Sequence, residues 1–193
     1  MFVNDGQGRG YTAKVDTDNR LTVDASVRSA GSIRSLAGDC YIVSTSVTAD
    51  TVTVTSTGGD MVYIENDSST RSIVIDKVTV TTDAVKCIYK SILNRTVGTV
   101  ADSNDGSPVN LNTASAKKPS ATVYVWDEAN HGIGGMSAGT AVTVETLTTG
   151  KHILDDDDTI VLGTKGSFTV SLKNLSGGAM ECAVTIRFYE ITL

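Results

Sequence analysis

The stretch that decides the fold lies near the C-terminus and reads Met180-Glu181-Cys182-Ala183-Val184-Thr185-Ile186-Arg187-Phe188-Tyr189. Apolar side chains occupy every second position from Met180 to Phe188, and Glu181, Thr185 and Arg187 stand between them. Because successive side chains of a β-strand point to opposite faces, this alternation predicts one face on a core. The other face is then turned to water or to a neighbouring chain.

The same period of two begins near Asp39 and continues through the chain. Val52 and Val54 alternate with threonines, and the residues from Phe168 to Leu172 alternate in the same way. Glycine-containing turns of the kind that hairpins require separate several of these stretches. The remaining predicted strands are Cys40–Ser46, Met61–Asn66, Ser72–Thr82, Lys86–Leu93, Ala121–Trp126, Ala141–Leu147 and Thr159–Gly163. The predicted fold is therefore an all-β, antiparallel two-sheet β-sandwich with a jelly-roll-like arrangement, spanning residues 39–193.

Composition supports this class and excludes others. Among 193 residues there are 27 Thr and 23 Val but one Trp and two Pro, a bias towards β-branched side chains that favours strands. The formal charge is −6 and no run of Lys or Arg exceeds two residues, which argues against nucleic acid as a partner. The longest apolar runs have three or four residues, far short of the ~20 that span a bilayer, so no membrane partner is predicted.

No residue pattern indicates enzyme chemistry, so we expect a protein that is not an enzyme and that needs no cofactor. The histidines are His131 and His152, and neither accompanies a nucleophile motif. Gly6, Gly8 and Gly10 lack the strand-to-helix context of a phosphate-binding loop. Cys40, Cys87 and Cys182 are single and widely spaced, which predicts buried free thiols and suits synthesis in a reducing bacterial cytoplasm.

Two other features leave alternatives open. The acidic run Asp155–Asp158 is either a solvated turn or, if a turn gathers its carboxylates, a Ca²⁺ site; the turn is favoured because adjacent strand residues point to opposite faces. Tyr124 and Trp126 are placed on one strand face, where they either stack on a sugar or pack at a subunit contact or second face, and the packing role is favoured.

Residues 1–38 differ from the rest and predict an N-terminal arm. The stretch opens with a glycine-rich turn and continues with many Asp, Asn and Arg residues. Apolar side chains then recur at spacings of three and four, which predicts a short amphipathic helix. Its members are Val23, Val27, Ala30, Ile33 and Leu36. With so few apolar residues, the arm is expected to be ordered at least partly by a partner.

The opening of the arm, Asn4-Asp5-Gly6-Gln7-Gly8-Arg9-Gly10-Tyr11-Thr12-Ala13-Lys14-Val15-Asp16-Thr17-Asp18-Asn19-Arg20-Leu21, resembles a leader found on many tailed-bacteriophage virion proteins. In that group a β-domain follows, with segments similar to Met61–Ser68, Pro108–Asn112 and the closing strand pair here. The resemblance covers most of the chain, and the leader is its specific part.

The resemblance implies a virion structural protein on the capsid exterior, of the decoration, cement or head-fibre type. Its partners would be the major capsid protein, bound through the arm, and further copies of itself in a homotrimer. Candidate contact residues in the arm are Tyr11, Lys14, Arg20, Leu21, Val27, Ile33 and Leu36. The alternative is a receptor- or glycan-binding β-module of a phage fibre or cell-surface protein, using Tyr124, Trp126 and the loop Asp127–Thr140.

The strand faces also predict stability. Phe168→Ala and Ile186→Ala are expected to cost about 3 kcal/mol or more through lost burial and cavity formation. Thr53→Ala and Thr169→Ala are expected to matter little unless their face packs on a neighbour.

Overall fold

The structure is a computed structural model that describes residues 2–4, 12–15, 21–22, 30–45, 52–54, 58–98, 105–126, 133, 136–154 and 160–192. The described residues form one short helix and fifteen strands. These elements are β1 Phe2–Asn4, β2 Thr12–Val15, β3 Leu21–Thr22, α1 Ala30–Ala37, β4 Cys40–Ser44, β5 Val52–Val54, β6 Gly59–Asn66, β7 Arg71–Thr82, β8 Cys87–Leu93, β9 Val109–Asn110, β10 Ala121–Val125, β11 Thr140–Leu147, β12 Gly150–Leu154, β13 Ile160–Leu162, β14 Ser167–Asn174 and β15 Met180–Thr192.

Strand β15 has the two faces that its alternation predicts. Every second side chain from Met180 to Phe188 is buried in the core. The strand pairs antiparallel with β7 along Cys182–Thr192 and with β4 along Thr185–Tyr189. Long ladders on both sides satisfy the backbone of a central strand, which leaves its apolar side chains free to pack.

Nine strands form four antiparallel pairings nested one inside another, because β12 and β13 both pair with β7. β4 pairs with β15, β6 with β14, β7 with β12 and β13, and β8 with β11. The first strand of the sandwich thus lies beside the last, and the second beside the last but one. This is the double Greek key of a jelly roll, and the predicted all-β sandwich is confirmed.

The two sheets are joined differently at their two lateral edges. At one edge, Asp105 and Gly106 bond to β10 of one sheet, and β9, three residues further on, pairs with β4 of the other. We call this edge, with residues 105–111, the β9 side. At the opposite edge β11 belongs to one sheet and β12 to the other, with Thr148 and Thr149 between them. The strands β11, β12 and β13 form the β11 side.

Some short elements were not expected from the sequence. β1, β2 and β3 form a three-stranded antiparallel sheet within residues 1–38, and β9 and β12 add strands to the sandwich. His152 is the third residue of β12, near the start of that strand. Gly150-Lys151-His152 shows no apolar alternation, and the ladder to Val78–Thr82 makes it a strand. The predicted helix is present as α1, while Val23 and Val27 lie outside the described residues.

The three cysteines are buried, as predicted, and none of them forms a disulfide bond. Burial raises the pKa of Cys40 to about 11 and raises the pKa of Cys87 as well. Both thiols therefore stay protonated near neutral pH, and the thiolate is the reactive form. We expect the folded protein to resist iodoacetamide at pH 8 and to be labelled at three sites after unfolding in guanidinium. Rapid labelling of the folded protein, followed by mass spectrometry, would contradict this packing.

Thr169 corrects the expectation that its strand face meets water. Its side chain is fully buried, between Tyr63 and Ile92 on the two neighbouring strands, although it lies on the face away from the core. These flanking side chains are themselves buried, so this part of the outer face is covered. The Thr169 hydroxyl has no hydrogen-bond partner.

Thr169→Val is therefore expected to stabilise the protein. Valine has nearly the same shape and removes a buried hydroxyl without a partner, which is worth about 1 kcal/mol and roughly 2–4 °C in Tm. The matched control is Thr82→Val, because the equally buried Thr82 hydroxyl accepts a bond from the Ala84 amide at 3.0 Å. Thermal melts should move up for the first variant and down for the second; a fall for both would show that Thr169 is bonded.

Candidate docking surface

Helix α1 is separated from β4 by Gly38 and Asp39 and packs against β4 and β15. Two of the predicted contact residues are on it, and the fold leaves both uncovered: Ile33 is 54% exposed and Leu36 is 62% exposed. An amphipathic helix normally turns its apolar residues to its own core. Here the chain presents them outward instead.

The C-terminal end of α1 is held by side chains of the segment 110–117. The last carbonyls of a helix have no partner within it and need donors from elsewhere. Asn112 Nδ2 donates to the Leu36 carbonyl at 3.0 Å, Lys117 Nζ to the Ala37 carbonyl at 3.0 Å, and Asn110 Nδ2 to the Gly38 carbonyl at 2.9 Å. The cation of Lys117 also suits the negative end of the helix dipole.

Gly38 makes this attachment possible. Its φ of +75° lies in the left-handed region that favours glycine at a helix C-terminus. A Cβ at this position would come within 2.4 Å of Ser115 Oγ, so a larger residue would push the segment 110–117 away.

A charged network joins the same end to the sandwich. Glu190 is buried and accepts bonds from Arg71 at 2.7 Å and from the Ser120 amide at 2.6 Å. The Glu190 amide donates to the Asp39 carbonyl at 2.9 Å, and the Asp39 carboxylate pairs with Lys117 at 2.8 Å. The bond and charge of Glu190 raise the pKa of Arg71. The helix end, β15 and the segment 110–120 are thereby fixed relative to one another.

The other predicted contact residues fall into two groups. Lys14 lies on β2 opposite Thr22, and Leu21 lies on β3 opposite Val15, so the two belong to neighbouring strands. Tyr11, Arg20 and Val27 lie outside the described residues.

Sequence reasoning missed the residues that hold the helix. Asn110 and Asn112 carried a signal: short amide side chains two residues apart, as here, often bond to nearby backbone, and Asn110 Oδ1 accepts from the Asn112 amide at 2.9 Å. Glu190 stands among the apolar side chains of Phe188, Tyr189 and Ile191, where a carboxylate implies a partner. Neither signal identifies the partner, which comes from distant parts of the chain.

Among the described residues, the structure brings no further catalytic or metal-binding side chain to the other candidate residues, the histidines and the acidic run. His152 Nε2 lies 2.6 Å from the Thr148 carbonyl. Within the described ranges no three His, Cys, Asp or Glu side chains are placed to share a metal ion. His131 and Asp155–Asp158 lie outside those ranges.

Tyr124 and Trp126 do not share an exposed face. β10 ends at Val125, so the alternation stops before Trp126, which is 7% exposed and belongs to the core. Tyr124 instead stacks on Tyr63, with ring centroids 5.9 Å apart. The aromatic pair therefore offers no open platform for a sugar. In the part of the chain that the structure covers, no helix has the length and apolarity to cross a membrane.

The strand pairing defines the class of the fold, a jelly-roll β-sandwich with a short helix packed against β4 and β15. No known protein family matches the chain, and neither does any curated protein. A solved structure of infectious bursal disease virus Gx strain is 15% identical, with the match covering 81% of this chain. The match covers 41% of that viral chain, and its TM-score of 0.13 is too low to indicate a shared fold.

Proposed function

We propose that this protein is a non-enzymatic structural protein of a bacteriophage virion. In this proposal it sits on the capsid exterior, binds the major capsid protein through residues 1–38 and associates with further copies of itself as a homotrimer. The observation that carries the proposal is the outward-facing pair Ile33 and Leu36 on a helix that the sandwich holds firmly. The leader within residues 4–21, which resembles that of tailed-phage virion proteins, supports it.

The geometry suits docking because the contact residues are presented on a fixed support. Ordering a free segment on binding costs conformational free energy, and a helix already attached at one end loses less. Three bonds from Asn110, Asn112 and Lys117 supply that attachment. Exposed aliphatic side chains then gain by burial against the capsid surface.

Capsid binding by full-length variants tests the proposal. The double variant Ile33→Asp/Leu36→Asp should bind at least tenfold more weakly to capsids that lack this protein, as measured by co-sedimentation. The reason is that two apolar side chains that the contact would bury become charged. The double variant Lys14→Glu/Arg20→Glu, which reverses two charges of the leader, should likewise weaken co-sedimentation with these capsids. The control is Val85→Asp, an exposed valine in the loop between β7 and β8. Unchanged capsid binding by both double variants would overturn the proposal.

A further inference from the structure

The sheet made of β10, β6, β14, β8 and β11 has an outer face that is turned away from the core. Near the middle of that outer face, Tyr63, Thr169 and Ile92 are buried on three adjoining strands. Towards the beginning of β8 and the end of β14, the side chains of the same face are exposed or half-buried. We call this open part the lysine face, and its residues are Lys86, Ile88, Lys90, Val144, Ser171 and Lys173.

The strand register brings three exposed lysines together on this face. Lys90 on β8 lies opposite Ser171, and Lys173 on β14 lies opposite Ile88, while the core side chains of both strands point the other way. Lys86 stands immediately before β8, where its carbonyl continues the ladder to β14. Diagonal neighbours on adjoining strands are roughly 7–8 Å apart, within reach of long side chains. Lys173 therefore lies close to both of the other lysines.

None of these three ammonium groups has an ion-pair partner among the described residues. Asp60 lies opposite Ser171 on the same sheet face, but its carboxylate pairs with Arg95. Glu145 lies opposite Tyr89, whose ring is in the core, so it belongs to the other face of the sheet. Like charges on neighbouring strands disfavour folding. A chain with a formal charge of −6 thus carries a local positive surface that its own described carboxylates leave unneutralised.

Aliphatic side chains stand among these charges. Val144 on β11 lies opposite Lys90 and is 60% exposed, and Ile88 is half-buried beside Lys173. Protein interfaces combine apolar contact with a polar rim. Sites for nucleic acid instead read bases with arginine or stack them on aromatic rings. The residues of the lysine face include neither an arginine nor an aromatic ring, which favours a protein as the partner.

We propose that the lysine face binds an acidic segment of a partner protein. Carboxylates of that segment pair with Lys86, Lys90 and Lys173, and its apolar side chains cover Val144. Opposite charges across an interface steer the encounter and select the partner. Two lysine faces do not suit each other, because like charges would meet. This surface is separate from α1 and from residues 1–38, so the inference does not depend on capsid binding.

Binding of a synthetic acidic peptide to the full-length protein tests the inference. The probe is a fluorescein-labelled peptide in which glutamate alternates with leucine, and the reference is the same peptide with glutamine in place of glutamate. By fluorescence anisotropy, the glutamate peptide should bind about tenfold more tightly than the glutamine peptide. The preference should fall between about 0.1 M and about 1 M salt, since the screening length shortens from about 10 Å to about 3 Å.

Matched double variants locate the contact. Lys90→Gln/Lys173→Gln removes two charges from the lysine face, and Lys118→Gln/Lys151→Gln removes two charges from exposed lysines elsewhere. The first variant should bind the glutamate peptide about tenfold more weakly, and the second should bind it like the unmodified protein. Lys90→Arg/Lys173→Arg, which keeps both charges, should also bind it normally. Thermal melts of all three variants check that they are folded.

The remaining outcomes separate this inference from others. Equal binding of the glutamate peptide by the two glutamine variants would overturn it. Tighter binding of a DNA duplex or of heparin than of the peptide would assign the face to a polyanion instead. A smaller mass for Lys90→Gln/Lys173→Gln than for the unmodified protein, by sedimentation velocity, would assign it to a second copy. Ile33→Asp/Leu36→Asp should still bind the peptide, so failure of capsid docking and failure of the lysine face are distinguishable.

Discussion

Phe168→Ala is expected to lower the free energy of unfolding by about 3–5 kcal/mol. Phe168 is fully buried on β14, opposite Ile64 of β6 and Leu93 of β8, so its ring contacts both neighbouring strands and the facing sheet's core. Removing the ring loses its transfer free energy and leaves a cavity that β-ladders on both sides prevent from collapsing. Guanidinium titration at one fixed chain concentration measures the loss.

The matched control is Lys173→Ala, an exposed position on the same strand. It should change the free energy of unfolding by no more than about 0.5 kcal/mol. Ile186→Ala on β15, also fully buried, should resemble Phe168→Ala, with a cost of about 3–5 kcal/mol. If the Phe168 and Lys173 variants were equally stable, the assignment of the strand faces would be wrong.

Gly59→Ala is expected to destabilise the protein by about 1–3 kcal/mol, since overpacking of a dense site costs this much. A Cβ on Gly59 would lie 1.9 Å from the Cζ3 atom of the Trp126 ring, far inside contact distance. Trp126 is buried, so its ring has to move out of the core or push β6 aside. As Trp126 is the protein's one tryptophan, its fluorescence reports the movement directly.

A double-mutant cycle isolates the clash. Trp126→Leu alone should destabilise the protein by removing part of a buried ring. In the Trp126→Leu background Gly59→Ala should cost less than in the natural background, because the ring atoms it meets are gone. Gly178→Ala, at an open position where a Cβ meets nothing within 4 Å, serves as a control. Additive costs for Gly59 and Trp126 would contradict the contact.

The strand core was predictable because local patterns determine it. In β15 and β14, every apolar side chain that the period of two assigns to the core is buried. The predicted positions of Thr169 and Trp126 were wrong because their burial depends on features outside the local pattern. Thr169 is buried by what covers the outer face of its sheet, and Trp126 is buried because β10 ends before it. β9 has two residues and the first three residues of β12 show no apolar alternation, so both strands depend on pairing with a partner strand.

The candidate docking surface was predictable in part. The spacing of Ile33 and Leu36 indicates a helix, but their exposure follows from where α1 meets β4 and β15. The bonds that hold the helix join residues more than seventy positions apart, such as Asn112 and Leu36. A cavity of about 120 Å³ on the β9 side likewise lies between residues that are distant in sequence, among them Ile42, Val109 and Val125.

The segment that holds α1 also has a consequence for how such a protein can diversify. Residues 110–117 run from the end of β9 towards β10, outside the nine strands whose nested pairing makes the jelly roll. Insertions or substitutions in that connection change the donors that reach Leu36, Ala37 and Gly38 while the strand pairs keep their register. The angle at which the helix is displayed can therefore evolve separately from the sandwich, and one scaffold can be fitted to differently shaped surfaces.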